Sequence, residues 1–300
     1  MIYDISHVTR YSYETRVASS TLTLRVTPRD DGGQRCLDRA VLISPEPRSL
    51  IVERDFFGNT ASIALIETSL VDLNIEARAR VDVARPAPPA PGSGPDAKAV
   101  VEQVARVDSV AGDSPAHFIF PSPRIPLRRE IADYAATSFA ARRAVLDGAR
   151  ELASRIREDF KYQPNSTAVS TPLEQAFEQR RGVCQDFAHI MISGLRSLGI
   201  PASYVSGYIR TIPPPGKPRL AGADATHAWV SVWCGAELGW IGIDPTNAID
   251  ADNDHIELAI GRDFSDVSPI YGVFLGSGAQ ELEVGVDVIP VAQAAAQPSS

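Results

Sequence analysis

Cysteine, methionine and tryptophan are scarce in this chain of 300 residues, which contains only three, two and three of them. The cysteines, Cys36, Cys184 and Cys234, form an odd set without a Cys-x-x-Cys pair. Such a set excludes a disulfide framework for the fold and argues against a structural zinc site. At least one thiol is therefore expected to be free, and its chemistry depends on where it lies.

Long apolar runs and an excess of positive charge are also missing. The first residues, MIYDISHVTR, alternate polar and apolar types and lack the apolar region of a signal peptide. No segment approaches the length of a membrane span. The net charge is −8, and no basic stripe is present to follow a phosphate backbone. We therefore expect a cytoplasmic protein without a nucleic-acid or membrane partner, and the sequence leaves its oligomeric state open.

The first 83 residues show an apolar period of two, as in Leu22-Leu24-Val26, which indicates strands. The Gly-Asn pair in Phe57-Gly58-Asn59-Thr60 suits a tight hairpin turn between two of them. We predict an N-terminal antiparallel β-sandwich at residues 1–85. Five prolines in residues 86–97 cannot continue a sheet, so this segment is interpreted as a linker.

Beyond the linker the apolar spacing changes to three and four, first around Ile131 and then from Val145 to Ile156, which predicts helices. Thr171-Pro172-Leu173-Glu174 has the pattern of a capping box, which predicts a short helix from Pro172 to about Gln179. Strand patterns return after residue 202. The sequence therefore predicts an α+β core, which we place at residues 98–290, and a disordered tail at residues 291–300.

Cys184 lies at the predicted start of another helix. An apolar stripe follows it at helical spacing, formed by Phe187, Ile190, Met191, Gly194, Leu195 and Leu198. Gly199 and Pro201 end the helix. In the first turn, free backbone N–H groups and the positive end of the helix dipole stabilise a thiolate, and Arg180 and Arg181 could add to that field. A buried, inert cysteine is the alternative interpretation.

A possible base for this thiol lies 43 residues later, in Thr226-His227-Ala228-Trp229. The period of a strand puts His227 on the same face as Trp229, at the start of the strand. A second apolar strand ends at Asp244, and pairing the two as a hairpin brings Asp244 beside His227. A nucleophile at a helix start, a base on one strand and an orienting acid on the next are typical of cysteine-based acyl transfer.

These segments resemble a bacterial member of the transglutaminase-like superfamily that carries an N-terminal β-domain. The resemblance extends from residue 1 to about 290, and its motifs are Gly182–Ala188, Ser206–Tyr208, His227–Val230 and Gly242–Asn247. It implies an α+β fold in which a papain-like, transglutaminase-like core follows the β-sandwich, with the nucleophile's helix packed on an antiparallel sheet. It also implies that Cys184, His227 and Asp244 are the catalytic residues.

The function expected from this resemblance is hydrolysis of a peptide or glutamine-type amide through a thioester on Cys184. The substrate partner would be a peptide or protein amide, and no cofactor or metal is expected. Two alternatives stay open. One is transfer of the acyl group from glutamine to an amine, as in transglutaminase crosslinking, and the other is a catalytically idle protein that binds peptides or acts as a scaffold.

The sequence departs from animal transglutaminases in one respect. Those enzymes use a tryptophan upstream of the cysteine to stabilise the oxyanion, whereas all three tryptophans here follow Cys184. The Cys184 backbone N–H could supply one hydrogen bond, and Tyr162 or Gln185 could supply another. The proline- and glycine-rich segment 211–225 directly precedes His227, and we hypothesise that it borders the cleft and gates substrate access.

Overall fold

A computed structural model describes residues 1–164, 166–211 and 225–291 of the chain, and strands dominate over helices in it. The strands are β1 (Ile2–Val17), β2 (Ser19–Leu24), β3 (Gln34–Ser44), β4 (Ser49–Arg54), β5 (Thr60–Ile66), β6 (Leu70–Val83), β7 (Lys161–Tyr162), β8 (Arg181–Gly182), β9 (Ala202–Ile209), β10 (Ala225–Trp233), β11 (Trp240–Asp244), β12 (Ile249–Asp250), β13 (His255–Gly261), β14 (Ile270–Leu275) and β15 (Gln280–Pro290). The helices are α1 (Ala97–Val104), α2 (Arg129–Ala136), α3 (Val145–Asp159), α4 (Leu173–Gln179), α5 (Cys184–Ser197) and α6 (Phe264–Val267), with a short 3₁₀ helix at Pro115–Phe118.

The N-terminal part consists of two four-stranded antiparallel sheets. One has the order β15-β1-β6-β3 and the other the order β14-β2-β5-β4. Apolar side chains from both sheets, among them Leu24, Ile66 and Ile75, form one buried cluster. Gly58 has a φ of +77° in the turn between β4 and β5, a conformation that glycine adopts without strain. The predicted antiparallel β-sandwich is therefore confirmed, and β4 and β5 pair as a hairpin, but the turn covers residues 55–59 and not the Gly58-Asn59 pair alone.

The last two strands belong to the N-terminal sheets and not to the core. Strand β14 pairs with β2, and Val288 of β15 pairs with Ile5 of β1. The core that we placed at residues 98–290 therefore has to be corrected, because its sheet ends with β13. Alternating strand patterns identify β14 and β15 but not their partners, since pairing across more than 200 positions leaves no local sequence signal.

The core is a five-stranded antiparallel sheet of order β12-β11-β10-β9-β13, and α5 packs against β9 and β10. Ala228, Val230 and Val232 alternate along β10 and join α5 in the largest hydrophobic cluster. Pro172 directly precedes α4, but Thr171 does not cap that helix, because its hydroxyl instead accepts a hydrogen bond from the Ala168 N–H. A capping box based on a carboxylate occurs instead at the start of α5.

A third apolar cluster joins the sandwich to the core sheet. Tyr3 and Val81 from the first sheet pack with Tyr208 and Ile256 from the core, and all four side chains are fully buried. Within the described ranges, no helix is long and apolar enough to cross a membrane. The predicted disordered tail, apart from residue 291, and nearly all of the predicted gating segment lie outside the described residues.

Candidate active site

The start of α5 is shaped by Asp186, which accepts two hydrogen bonds on its Oδ2 atom. The Val183 N–H donates at 2.8 Å and the Thr167 hydroxyl at 2.7 Å. A Cβ atom on Gly182 would lie 2.6 Å from the same oxygen, so only glycine leaves room for this carboxylate. The backbone is thereby held so that Cys184, the first residue of the helix, is partly exposed in the first turn.

The contacts of the two arginines before Cys184 do not support the role considered for them at the thiol. The Arg180 guanidinium lies over the Phe177 ring at 4.2 Å and over the Phe160 ring at 4.6 Å. Arg181 donates to the side chain of Gln179 and is exposed. Cation–π packing therefore accounts for Arg180, and the start of α5 contributes the positive end of its helix dipole at Cys184.

His227 lies near the start of β10 and is buried. Its register partner on β9 is Gly207, where a Cβ atom would lie only 2.5 Å from the Trp229 ring. The missing side chain at Gly207 thus leaves room for the Trp229 indole, whose ring centroid is 6.1 Å from that of His227 at an angle of 29°. The imidazole is held against a fixed aromatic surface.

Asp244, at the end of β11, is fully buried and accepts hydrogen bonds from five donors. The backbone N–H groups of Thr246 and Asn247 donate to Oδ1 at 2.8 and 3.2 Å. His227 Nε2, Asn247 Nδ2 and His255 Nε2 lie 2.8, 2.6 and 3.3 Å from Oδ2. Burial alone would raise the pKa of Asp244, but these donors hold it well below the usual range. The group is therefore a carboxylate that fixes the ring of His227.

Cys184 also interacts with the His227 imidazole, since a hydrogen bond between the two is among the causes of the raised pKa of this ring. Burial lowers the pKa of His227, but hydrogen bonds with Asp244 and Cys184, together with their negative charges, raise it to about 10. Because Nε2 is used by Asp244, Nδ1 is the nitrogen that remains for the sulfur. The structure thus brings together all three residues that the sequence proposed as catalytic, in the order sulfur, imidazole, carboxylate.

Of the two side chains considered as oxyanion donors, Tyr162 is the one close to the sulfur. Burial and the charge of Cys184 raise the pKa of the Tyr162 hydroxyl, whose residue is 50% exposed. The Gln185 amide donates instead to the Val169 carbonyl at 3.3 Å. The Tyr162 hydroxyl is therefore a protonated donor with no hydrogen-bond partner among the described residues, whereas Gln185 is engaged elsewhere.

The other cysteines lie in different surroundings. Cys234 follows the far end of β10, roughly 23 Å along the strand from His227 at about 3.3 Å per residue. It is buried, its Sγ lies 3.6 Å from the Val232 carbonyl, and burial raises the pKa of its thiol to about 12. Cys36 is in β3 of the sandwich, where burial raises the pKa of the thiol. Neither sulfur is placed to react with His227.

The sequence interpretation missed His255. This residue is fully buried, and together with His227 and Asp244 it forms the group of metal-type ligands that the described residues contain. His227 Nε2 lies 2.8 Å from Asp244 Oδ2, which is the distance of a hydrogen bond. Asp244 accepts hydrogen bonds from five donors in all, so hydrogen bonds hold these three residues together. The alternation of His255, Ile256, Glu257 and Leu258 is the local sequence signal for β13, but it does not indicate which residues His255 contacts.

These features define a class of protein: an α+β fold in which a thiol at a helix start meets a histidine and an aspartate from adjacent strands. The chain belongs to the transglutaminase-like superfamily. Residues 132–245 match the family described as the transglutaminase-like superfamily, and residues 3–82 match the bacterial transglutaminase-like N-terminal region. The resemblance inferred from the motifs is therefore confirmed.

Relatives with known sequences and structures agree with this assignment. An uncharacterized protein of Mycobacterium tuberculosis is 38% identical over 292 residues, which cover 96% of this chain and 92% of the relative. A protein-glutamine gamma-glutamyltransferase of Pseudomonas aeruginosa is 34% identical over 103 residues, 32% of this chain and 15% of that enzyme. The crystal structure of a candidate cysteine protease from Cytophaga hutchinsonii has a TM-score of 0.73 and 21% identity, and the match covers 98% of this chain and 92% of that one.

Proposed function

We propose that the protein is a cysteine-nucleophile amide hydrolase or protease that acts through a thioester on Cys184. The observation that carries this proposal is the hydrogen-bonded series from Cys184 through His227 to Asp244, with 2.8 Å between the last two. A raised pKa of about 10 keeps the His227 ring protonated beside the Cys184 sulfur at neutral pH. Such a pair attacks carbonyls without needing a separate base.

In the first half of the reaction, the Cys184 sulfur attacks the carbonyl carbon of the amide, and the C=O bond opens to an oxyanion. The Cys184 backbone N–H and the Tyr162 hydroxyl are the nearest candidate donors for this oxygen. When the C–N bond breaks, His227 gives its proton to the leaving amine or ammonia. A thioester on Cys184 and a neutral His227 remain.

In the second half, water attacks the thioester. His227 takes a proton from the water, the C–S bond breaks, and the acid is released with the sulfur restored as a thiolate beside the imidazolium. Asp244 stays a carboxylate throughout and stabilises the charged ring, because its five donors hold it in that form.

Amine transfer is a second candidate for the same site, and the similarity to the Pseudomonas aeruginosa gamma-glutamyltransferase favours it. In that reaction a primary amine replaces water in the second half. We prefer hydrolysis because the sequence contains no indication of an amine-binding tunnel and because water is abundant around a partly exposed Cys184. A catalytically idle scaffold is a third candidate, which the buried and fully hydrogen-bonded Asp244 disfavours, since such a group is costly to bury without use.

The test is a screen of peptide amides and glutamine-containing peptides in which ammonia or amine release is measured with and without an added primary amine, and Cys184→Ala is the control. We expect release that depends on Cys184 and does not require the amine. Incorporation of the amine in excess of hydrolysis would establish amine transfer instead. Alkylation of Cys184 at mildly acidic pH no faster than that of Cys36 would support the idle scaffold. The predicted cytoplasmic location stays part of this proposal.

A further inference from the structure

A second histidine contacts the carboxylate of the candidate triad. His255 begins β13, on the far edge of the core sheet from β11, and is completely buried. Its Nε2 lies 3.3 Å from Asp244 Oδ2, the same oxygen that accepts from His227 Nε2. Two imidazoles from different strands therefore share one carboxylate oxygen.

The direction of the hydrogen bond follows from the charge on Asp244. Because its donors hold the pKa of Asp244 well below the usual range, the oxygen carries no proton and can only accept. His255 must therefore have its proton on Nε2 and donate to Oδ2. This assignment fixes the tautomer of the ring.

The other nitrogen of His255 is satisfied in either charge state. Nδ1 lies 3.2 Å from the Asp252 backbone N–H and 3.0 Å from Asp252 Oδ1. The neutral ring accepts from the N–H, and the charged ring donates to the carboxylate. The groups that face His255 are Asp244, His227 and Asp252, and the Arg85 guanidinium donates to its backbone carbonyl at 3.2 Å. The Nε2 proton stays directed at Asp244 in both states.

The rings around Asp244 are also packed in a fixed order. The Trp229 indole contacts the His255 ring edge-on, with 5.2 Å between centroids, and its ring centroid lies 6.1 Å from that of His227 at an angle of 29°. The His227 and His255 centroids are 6.2 Å apart. Trp229 thus packs against both imidazoles, whose Nε2 atoms both lie near Asp244 Oδ2.

We propose that His255 is a positioning residue of the Cys184–His227–Asp244 site, which fixes the Asp244 carboxylate by donating its Nε2 proton. The inference rests on the proposed function. Among the described residues, the side chains that act on the His255 ring are Asp244, Asp252 and His227, so His255 acts through Asp244 on the orientation of His227. Outer partners of this kind commonly change activity by about 10- to 100-fold when they are removed.

Iodoacetamide labelling of Cys184, followed by mass spectrometry, tests the proposal without knowledge of the substrate. His255→Phe fills the space with an aromatic ring but removes the donor, and His255→Gln keeps an N–H at a similar reach. At about pH 6 we expect labelling of H255F to be about 10-fold slower than wild type and that of H255Q to stay within about 3-fold. Above about pH 9 the three proteins should converge, because any thiol then reacts as its thiolate.

The positioning role would be overturned if Cys184 were labelled at the same rate in H255F and wild type at about pH 6. It would also be overturned if the labelling rate fell equally in H255F and H255Q. If H255F does not fold, ¹⁵N NMR of the wild-type imidazoles decides, because a His255 ring protonated only on Nδ1 cannot donate to Asp244. Failure of the proposed function is distinguishable from failure of the positioning role, because it requires that wild-type Cys184 labels no faster than Cys36 or that its labelling is unaffected by His227→Gln.

Discussion

Each end of β10 lies beside a cysteine, but the surroundings are polar at one end and apolar at the other. At the first end, His227 is buried among polar partners and contacts Cys184 from the start of α5. At the second end, Cys234 is buried in the apolar cluster, and burial raises the pKa of its thiol to about 12. The surroundings of the two thiols differ: Cys184 lies at a helix start beside an imidazole, whereas apolar packing raises the pKa of the Cys234 thiol.

The largest effect should come from removing one sulfur and not the other. We expect Cys184→Ala to abolish turnover of any amide substrate found in the screen, with a loss of at least about 10⁴-fold, because the nucleophile and base act as a unit. Cys234→Ala is the matched control and should keep turnover within about 2-fold. Turnover that depends on Cys234 and survives in Cys184→Ala would reverse the comparison between the two ends of β10.

The second effect concerns the polar partners at the first end. Asp244→Asn should lower turnover by about 10²- to 10⁴-fold, since the amide cannot hold a protonated His227 ring by charge. The measurement is kcat and KM with the same substrate, and the loss should appear in kcat. A change confined to KM would mean that Asp244 affects substrate binding and not the His227 base.

The third effect is a pH dependence of stability at the same end. A folded-state pKa of about 10 for His227 stabilises the protein fully below the unfolded value of about 6.5, and this contribution is lost as pH rises through about 10. The melting temperature of wild type should therefore exceed that of His227→Gln by about 2–4 °C near pH 6, and the gap should close in alkaline solution. A gap that widens with pH would contradict the protonated ring.

The smallest effect is expected at the second end. Cys234→Ala removes one buried sulfur from the apolar cluster and should lower the free energy of unfolding by about 1 kcal/mol. Urea denaturation measures this change, and Cys234→Val is a control that restores most of the lost volume. An unchanged midpoint in Cys234→Ala together with a large loss of turnover would show that Cys234 has a chemical role.

Local patterns were sufficient to predict most of the site. The helical stripe after Cys184 fixed the start of α5, and the hairpin of β10 and β11 follows from two apolar strands joined by a short turn, so the proximity of His227 and Asp244 could be predicted. The sandwich was also predictable, because alternation of apolar residues is a local signal. The catalytic roles of these residues stay predictions until turnover is measured.

Other features could not be derived from local patterns. The contact of His255 with Asp244 depends on the position of β13 at the sheet edge beside β9. The order of strands in a sheet cannot be deduced from local sequence patterns. The same reason explains why β14 and β15 were placed with the core. Arg180 was considered as a possible addition to the field at the thiol, but it has a left-handed backbone, with a φ of +51°, and its guanidinium packs over the Phe177 ring.

The central claim is tested most directly by site-resolved alkylation of the three cysteines in the folded wild-type protein. Iodoacetamide is added at about pH 6, where free thiols are almost wholly protonated, and mass spectrometry follows each cysteine peptide with time. The account predicts that Cys184 is modified at least about 10-fold faster than Cys36, and that Cys234 is not modified. Equal rates at Cys184 and Cys36 would contradict it.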